Sequence, residues 1–176
     1  MPDLLSLPPP QSVIAALSAV PGVEINPMVM ATQQGPASHL GPESAGAILM
    51  LQATFHSEEG NSRFWEALVP MYQKLADAPG FIRYFAFGDG PSNTLLAFWE
   101  TMDDAKAFAG SPEHRDAVRR LFRERWEYTH FAALWEMKSN HDRIVFCDSC
   151  DGITPIGKRV CAGCGAELTD AYSKSG

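Results

Sequence analysis

The sequence predicts an α+β fold in which a split βαβ protomer, with an antiparallel sheet and both helical regions on one face, is followed by a small four-cysteine ribbon. Three observations lead there. From Ala47 onward, short apolar runs alternate with stretches of helical periodicity in the order strand, helix, strand, strand, helix, strand. Turn residues fall between these stretches, at Pro79-Gly80 and in the segment GDGPSN. The last observation is that residues 147–164 hold all four cysteines of the chain, in two Cys-x-x-Cys pairs.

The elements follow in order. Residues 1–46 hold most of the 13 prolines and one helix-compatible stretch, Gln11 to Val20, closed by Pro21-Gly22, so they read as an extended proline-rich arm with one short helix. Ile48 to Phe55 is an apolar run suited to a strand covered on both faces. Glu59-Gly60-Asn61 reads as the turn that ends it. Phe64, Leu68, Tyr72 and Leu75 recur at helical spacing behind an Asn61 or Ser62 cap and predict a helix over 62–77, with Pro70 removing one of its hydrogen bonds. Strands at Phe81 to Phe87 and Thr94 to Glu100 form a hairpin. Thr101-Met102-Asp103-Asp104 opens a helix as a capping box, Ser111-Pro112 restarts it, and it runs to about Glu127. Tyr128 to Met137 is the last strand of a domain spanning 47–138, and the cysteine ribbon spans 143–170.

The strands are apolar on both faces. Ile48 and Met50 alternate with Leu49 and Leu51, and Leu95, Ala97 and Trp99 with Leu96 and Phe98. Helices cover one face only. The simplest cover for the other is the same sheet of a second subunit, so a homodimer is expected.

The chain has 176 residues, is 45% hydrophobic and carries a formal net charge of −7, which argues for a globular protein and against a general polyanion binder. No nucleic-acid partner is expected. MPDLLSLPPP lacks the basic start and apolar core of a secretory signal, and no apolar stretch approaches the length that spans a bilayer, so the expected location is cytoplasmic and off the membrane. The stretch from Glu113 to Glu127 alternates Arg with Glu and Asp and reads as a solvated helix face.

The cysteine pattern is CDSC, ten residues, then CAGC. Each pair places two thiolates on a tight turn, and two facing turns make a tetrahedral S₄ site, so Cys147, Cys150, Cys161 and Cys164 are expected to bind one structural zinc ion. Gly165 suits the turn of such a knuckle. All four ligands are protein thiolates, which leaves no open position for a substrate. A redox dithiol and a rubredoxin-like iron site are the alternatives.

The segments AILMLQATF, APGFIRYFAF, LLAFWETMDDAKAF and SPEHRDAV resemble those of the dimeric α/β-barrel superfamily, specifically domains similar to the antibiotic-biosynthesis monooxygenases. The resemblance covers about half of the chain. It implies a ferredoxin-like protomer, a dimer whose two sheets form a barrel, and a pocket in each protomer between sheet and helices. Members include cofactor-free oxygenases of aromatic polyketides and haem-degrading oxygenases. The haem degraders use an Asn, a Trp and a His where this chain has Gln52, Phe108 and Val118, so it departs from their pattern at all three places. His114, about one helical turn away, replaces the missing ligand only if the register is shifted.

Candidate pocket residues come from strand alternation. Met50, Gln52, Thr54 and His56 share one face of the first strand. Arg83 and Phe85 share a face of the second, Trp99 lies on the third and His130 on the fourth. Together they could bind a flat aromatic ligand. His130 or His56 is nominated as base, and Gln52 or Arg83 as the group that stabilises an oxyanion. Met50, Phe85 and Trp99 are nominated as substrate contacts, although Trp99 and Trp135 equally suit core or interface packing. The expected function is an oxygenase-like activity on a small aromatic or quinol-type substrate, with zinc as a structural ion and no organic cofactor. Two other readings stand beside it: a non-catalytic dimer that docks a protein partner through ribbon and arm, and a haem-binding protein.

Overall fold

A computed structural model describes residues 11–24, 31–89, 92–139, 144–155 and 158–168. The chain divides into two compact units, Met1–Lys138 and Ser139–Gly176. Within the first, the chain order is α1 (Gln11–Ser18), β1 (Val23–Glu24), β2 (Ala31–Gln34), β3 (Ala47–Phe55), α2 (Glu58–Leu75), β4 (Phe81–Asp89), β5 (Ser92–Trp99), α3 (Met102–Ala109), α4 (Pro112–Glu124) and β6 (Glu127–Glu136). The sheet runs β1-β2-β4-β5-β3-β6, and every neighbouring pair is antiparallel. Strands β4-β5-β3-β6 with α2 and the α3–α4 pair are the expected split βαβ arrangement.

The alternation of β3 divides the sheet into two faces. Ala47, Leu49, Leu51 and Ala53 pair with Trp99, Ala97, Leu95 and Asn93 of β5, and the side chains of this set lie toward the helices. Ile48, Met50 and Gln52 pair with Phe98, Leu96 and Thr94 and occupy the opposite face. Against the helix-covered face α2 buries Phe64, Trp65, Leu68, Met71, Tyr72 and Leu75. These recur at helical spacing, which fixes the side of α2 that meets the sheet.

Several boundaries differ from the sequence reading. Helix α2 begins at Glu58, four residues before the expected start, because the Ser57 hydroxyl accepts from the Gly60 N–H at 3.2 Å. The turn expected at Glu59-Gly60-Asn61 is therefore its first turn. Gly60 is needed there for contact, since a Cβ would lie 2.3 Å from the Trp126 carbonyl oxygen. Asn61 is buried, and its side-chain oxygen accepts from Trp65 Nε1 at 3.0 Å and Asn93 Nδ2 at 3.3 Å. Pro70 sits inside the helix without ending it. It lies on the exposed side, so the carbonyl that its ring leaves without a donor is not trapped in the core. Helix α4 stops at Glu124 rather than near Glu127, because Arg125 takes a left-handed conformation at φ 50°, ψ 46°. That reversal turns Trp126 into the core and starts β6.

The expected sheet of four strands has six among the described residues. Residues 31–34 pair with β4, and Leu17 of α1 is fully buried in the main core beside Val20. Residues 11–24 and 31–34 thus pack within this unit rather than as an extended arm. Residues 1–10 lie outside the described residues. Gln33 shows how firmly β2 is fixed: it is wholly buried and donates from Nε2 to the Tyr72 carbonyl of α2 at 2.9 Å.

In the second unit β7 (Ile144–Phe146) pairs antiparallel with β8 (Ile153–Pro155). No helix among the described residues is long and apolar enough to cross a membrane. Leu17→Ala is expected to destabilise the first unit by about 2–5 kcal/mol, as measured by urea unfolding. A change below about 0.5 kcal/mol would return α1 to the status of an appended arm.

Candidate functional site

Two apolar cavities lie between the covered sheet face and the helices. One, of about 50 Å³, is bordered by Leu49, Leu95, Tyr72, Trp99, Phe108 and His114 among others. Its neighbour, of about 40 Å³, is bordered by Phe64, Val118, Trp126, Glu127 and His130. Leu51, Leu68, Met71 and His114 belong to both walls. An aromatic chain lines the approach, with Trp99 against Phe108 at 5.2 Å and Phe108 against His114 at 5.6 Å between ring centroids.

The polar groups here are few. Trp99, which borders the first cavity, and Trp126, which borders the second, bury indole N–H groups with no hydrogen-bond partner among the described residues, and the buried Tyr72 hydroxyl has the Tyr84 hydroxyl as its neighbour. Such a donor costs about 1–3 kcal/mol unless a water or ligand meets it. Tyr72 stacks on Tyr84 at 4.8 Å and 15°. Burial first, then the neighbouring Tyr84, holds the Tyr72 hydroxyl well above the usual phenol range, so it remains a neutral donor. Burial also lowers His114, against the hydrogen bond it makes to the Ala109 backbone. His130 is raised, chiefly by the 2.7 Å hydrogen bond between its Nδ1 and Glu127 Oε2, against burial.

The sheet separates the residues that the sequence grouped as one pocket. Met50, Gln52, Arg83 and Phe85 lie on the face away from the helices, whereas Trp99 and His130 lie on the helix face. The grouping failed because alternation gives the faces within each strand but not which face of one strand matches which of the next. Gln52 donates to Thr94 Oγ1 at 3.3 Å, so its amide has an internal partner, and Arg83 lies over the Phe85 ring at 5.9 Å. His56 is exposed beyond the end of β3 and packs on Tyr128 at 4.5 Å. Of the nominated bases, His130 alone borders a cavity.

Tyr72, Trp126 and Glu127 were missed, and His114 was considered only as a haem ligand. Glu127 and His130 are three apart, which in a regular strand puts them on opposite faces. Here Thr54 pairs with Thr129 while Phe55 pairs with Glu127, so Tyr128 is an extra residue that brings both side chains to one face. No sequence signal marks that bulge.

The second unit holds a separate donor set. The Sγ atoms of Cys147, Cys150, Cys161 and Cys164 all lie within 4.8 Å of one another, with Cys147–Cys164 and Cys150–Cys161 at 3.6 Å. Sulfurs placed about 2.3 Å from a central ion at tetrahedral angles would be about 3.8 Å apart. The Ser149, Gly152 and Gly163 N–H groups point at Cys147, Cys150 and Cys161 at 3.3 to 3.4 Å. A Cβ at Gly152 would lie 2.8 Å from Cys161 Sγ. Gly165 has φ +74°, the turn expected of it. Cys161 is lowered to about 6 by the Cys164 and Gly163 N–H groups. At Cys150 the Gly152 N–H acts the same way, but the neighbouring thiols push it up to about 12. Four thiolates this close need a cation among them, and the four residues fit a metal ion.

These sites sit on a ferredoxin-like α+β domain followed by a cysteine knuckle pair. Residues 48–120 match the family model described as antibiotic biosynthesis monooxygenase. No curated protein matches the chain. Among solved structures it is similar to a candidate antibiotic biosynthesis monooxygenase of Deinococcus radiodurans, at 14% identity and a TM-score of 0.47 over 55% of this chain and 97% of the other. SnoaB, a cofactor-independent oxygenase of Streptomyces nogalater, is similar at 18% identity and a TM-score of 0.43 over 53% and 94%. A conserved protein of Methanosarcina mazei Go1 is similar at 15% identity and a TM-score of 0.46 over 55% and 97%.

Elemental analysis of the purified chain is expected to give one metal ion per chain. Chelation or Cys161→Ser should open the segment after about residue 143 to limited proteolysis while the first unit resists. Equal resistance with and without chelator would show that packing, not metal, holds the ribbon.

Proposed function

We propose that this protein is an oxygenase acting on a small aromatic or quinol-type substrate in the cavities between sheet and helices, with a structural zinc ion in its ribbon. The carrying observation is an apolar cavity bordered by Trp99, whose buried Nε1 has no hydrogen-bond partner among the described residues, by Tyr72 and by the imidazole of His114. An apolar cavity of about 150 Å³ admits benzene, so the two small cavities describe a closed form. A ring enters with displacement of Met71, an unbranched side chain in both walls. His114 and His130 border spaces far smaller than a porphyrin, which weighs against the haem reading.

The chemistry needs a deprotonated substrate, because a phenolate reduces oxygen far more readily than a phenol. An imidazole accepts the proton, and the Tyr72 and Trp99 donors hold the developing oxyanion in a site shielded from water. In the balanced reaction a CH₂ group beside the hydroxylated ring becomes C=O. One atom of O₂ forms that carbonyl, the other leaves as water with the two methylene hydrogens, and the substrate supplies all the electrons.

Zinc is favoured over iron by a set of four protein thiolates that closes the coordination sphere. The sheet face away from the helices supports the homodimer. It carries Phe131 and Trp135 at 49% and 45% exposure beside half-buried Ile48 and Met50. A second copy of that face would cover it and form a barrel. The non-catalytic docking reading rests on the same exposed residues and makes no use of the cavity.

Under ¹⁸O₂, small hydroxylated aryl-methylene compounds should yield ketones carrying one labelled oxygen, and Tyr72→Phe should slow turnover about a hundredfold. Label entering from water, or no product across the panel, would remove the oxygenase reading. Light scattering should give twice the 19.3 kDa chain mass. Trp135→Glu should give a monomer, and a monomeric native chain would remove the barrel.

A further inference from the structure

Glu127 and His130 lie outside the residues that match the family model, yet both border the cavity between α2, α4 and β6. The Glu127 side chain is only 3% exposed and spends its Oε2 on His130 Nδ1 at 2.7 Å. A nearly buried carboxylate on Nδ1 fixes the tautomer of the ring: Nδ1 carries the hydrogen, and Nε2 keeps its lone pair. It also stabilises the imidazolium that forms when Nε2 takes a proton. His130 is 29% exposed at its side chain, so it stands at the cavity mouth rather than in the core.

We propose that Glu127 is the positioning carboxylate that makes His130 the proton acceptor of this cavity, and that the cavity takes uncharged hydroxyarenes. This rests on the oxygenase reading in one respect, that substrate binds between sheet and helices. The step is a proton transfer: the O–H bond of the hydroxyarene breaks, an N–H bond forms at His130 Nε2, and the arene becomes its anion. The resulting imidazolium lies between that anion and the Glu127 carboxylate.

The surroundings set both the direction of transfer and the substrate class. From α2 the wall receives Phe64, Ala67, Leu68 and Met71, and from β3 Leu51, none of which titrates. From α4 it receives His114, which burial biases toward the neutral form, while Glu127 biases His130 toward the protonated one. Beyond the wall, Arg120 lies over the Trp126 ring at 5.3 Å and is paired with Glu124 at 3.5 Å. Neither cavity wall contains a Lys or Arg among the described residues. The charge of a protonated His130 is offset by Glu127, so a carboxylate or phosphate on the ligand would find no compensating cation.

The test uses 4-nitrophenol, whose phenolate absorbs in the visible, with binding followed by quenching of tryptophan fluorescence in the full-length, metal-loaded chain. Native protein should bind it and raise its phenolate fraction above that in buffer at the same pH. Glu127→Gln, which keeps the shape of the side chain, should still bind but lower the bound phenolate-to-phenol ratio about tenfold. His130→Gln should do the same. The anion 4-hydroxybenzoate should fail to compete. If native protein and Glu127→Gln bind with the same ratio, the pair is structural and the proposal is overturned, with the cavity reading intact. Competition by 4-hydroxybenzoate overturns the substrate class. Absence of any binding to native protein overturns the cavity reading and this proposal with it.

Discussion

Everything in the first unit depends on β3 being paired on both sides, to β5 and to β6. A central strand has no edge, so its backbone is satisfied by the ladders and its side chains must serve two different faces. On the helix face Ala47 and Ala53 are fully buried and small, while Leu49 and Leu51 between them stay only partly buried. Leu49 and Leu51, in the middle of the strand, border the cavities. On the other face β3 presents Ile48, Met50 and Gln52, and its neighbours add Leu96, Phe98, Phe131 and Trp135. Tying up Gln52 through Thr94 leaves this face with little polar demand. One strand thus borders the cavities on one side and contributes to the apolar face on the other, on which the proposed dimer rests.

The two units are stable for different reasons. The first has a core that includes Trp65, Tyr72, Tyr84, Phe81 and Trp99, all nearly or fully inaccessible. The second leaves Ile144, Phe146, Ile153 and Val160 between 43% and 68% exposed, so the residues that could have formed a core do not. Among its described residues only Thr154 and Cys161 are buried, and Thr154 Oγ1 accepts from the Ala162 N–H at 3.0 Å to tie the hairpin to the second knuckle. Apolar burial on this scale cannot offset the entropy of ordering the segment. The convergence of four thiols supplies what the core lacks.

The order of elements and the metal donor set were legible in the sequence because both are written in local spacing. Two Cys-x-x-Cys pairs define their geometry without help from the rest of the chain. Phe64, Leu68, Tyr72 and Leu75 likewise reveal the inner side of α2. The start of α2 was ambiguous, since Ser57, Asn61 and Ser62 can all cap a helix, and the Gly60 N–H decides for Ser57. Strand β2 was invisible because Ala-Thr-Gln-Gln has no apolar alternation. Its inward residue, Gln33, earns its place through the Tyr72 carbonyl rather than through hydrophobicity. The candidate site was the least legible part, since it depends on which faces meet across strands and on one extra residue in β6. Alternation correctly grouped Met50 with Gln52 and Arg83 with Phe85, but Trp99 and His130 belong to the other side of the sheet.

The two faces therefore make competing claims on a ligand. The helix face offers apolar cavities, indole donors without partners and two imidazoles. The other face offers Gln52, Arg83 and aromatic side chains, but also the open apolar surface expected of a subunit interface. A crystal structure of the chain with a bound small hydroxyarene such as 1-naphthol decides between them most directly. The ring is expected between the sheet and α2 and α4, with its oxygen among Tyr72, Trp99 and the imidazoles. A ring bound instead beside Gln52 and Arg83 on the opposite face would contradict it.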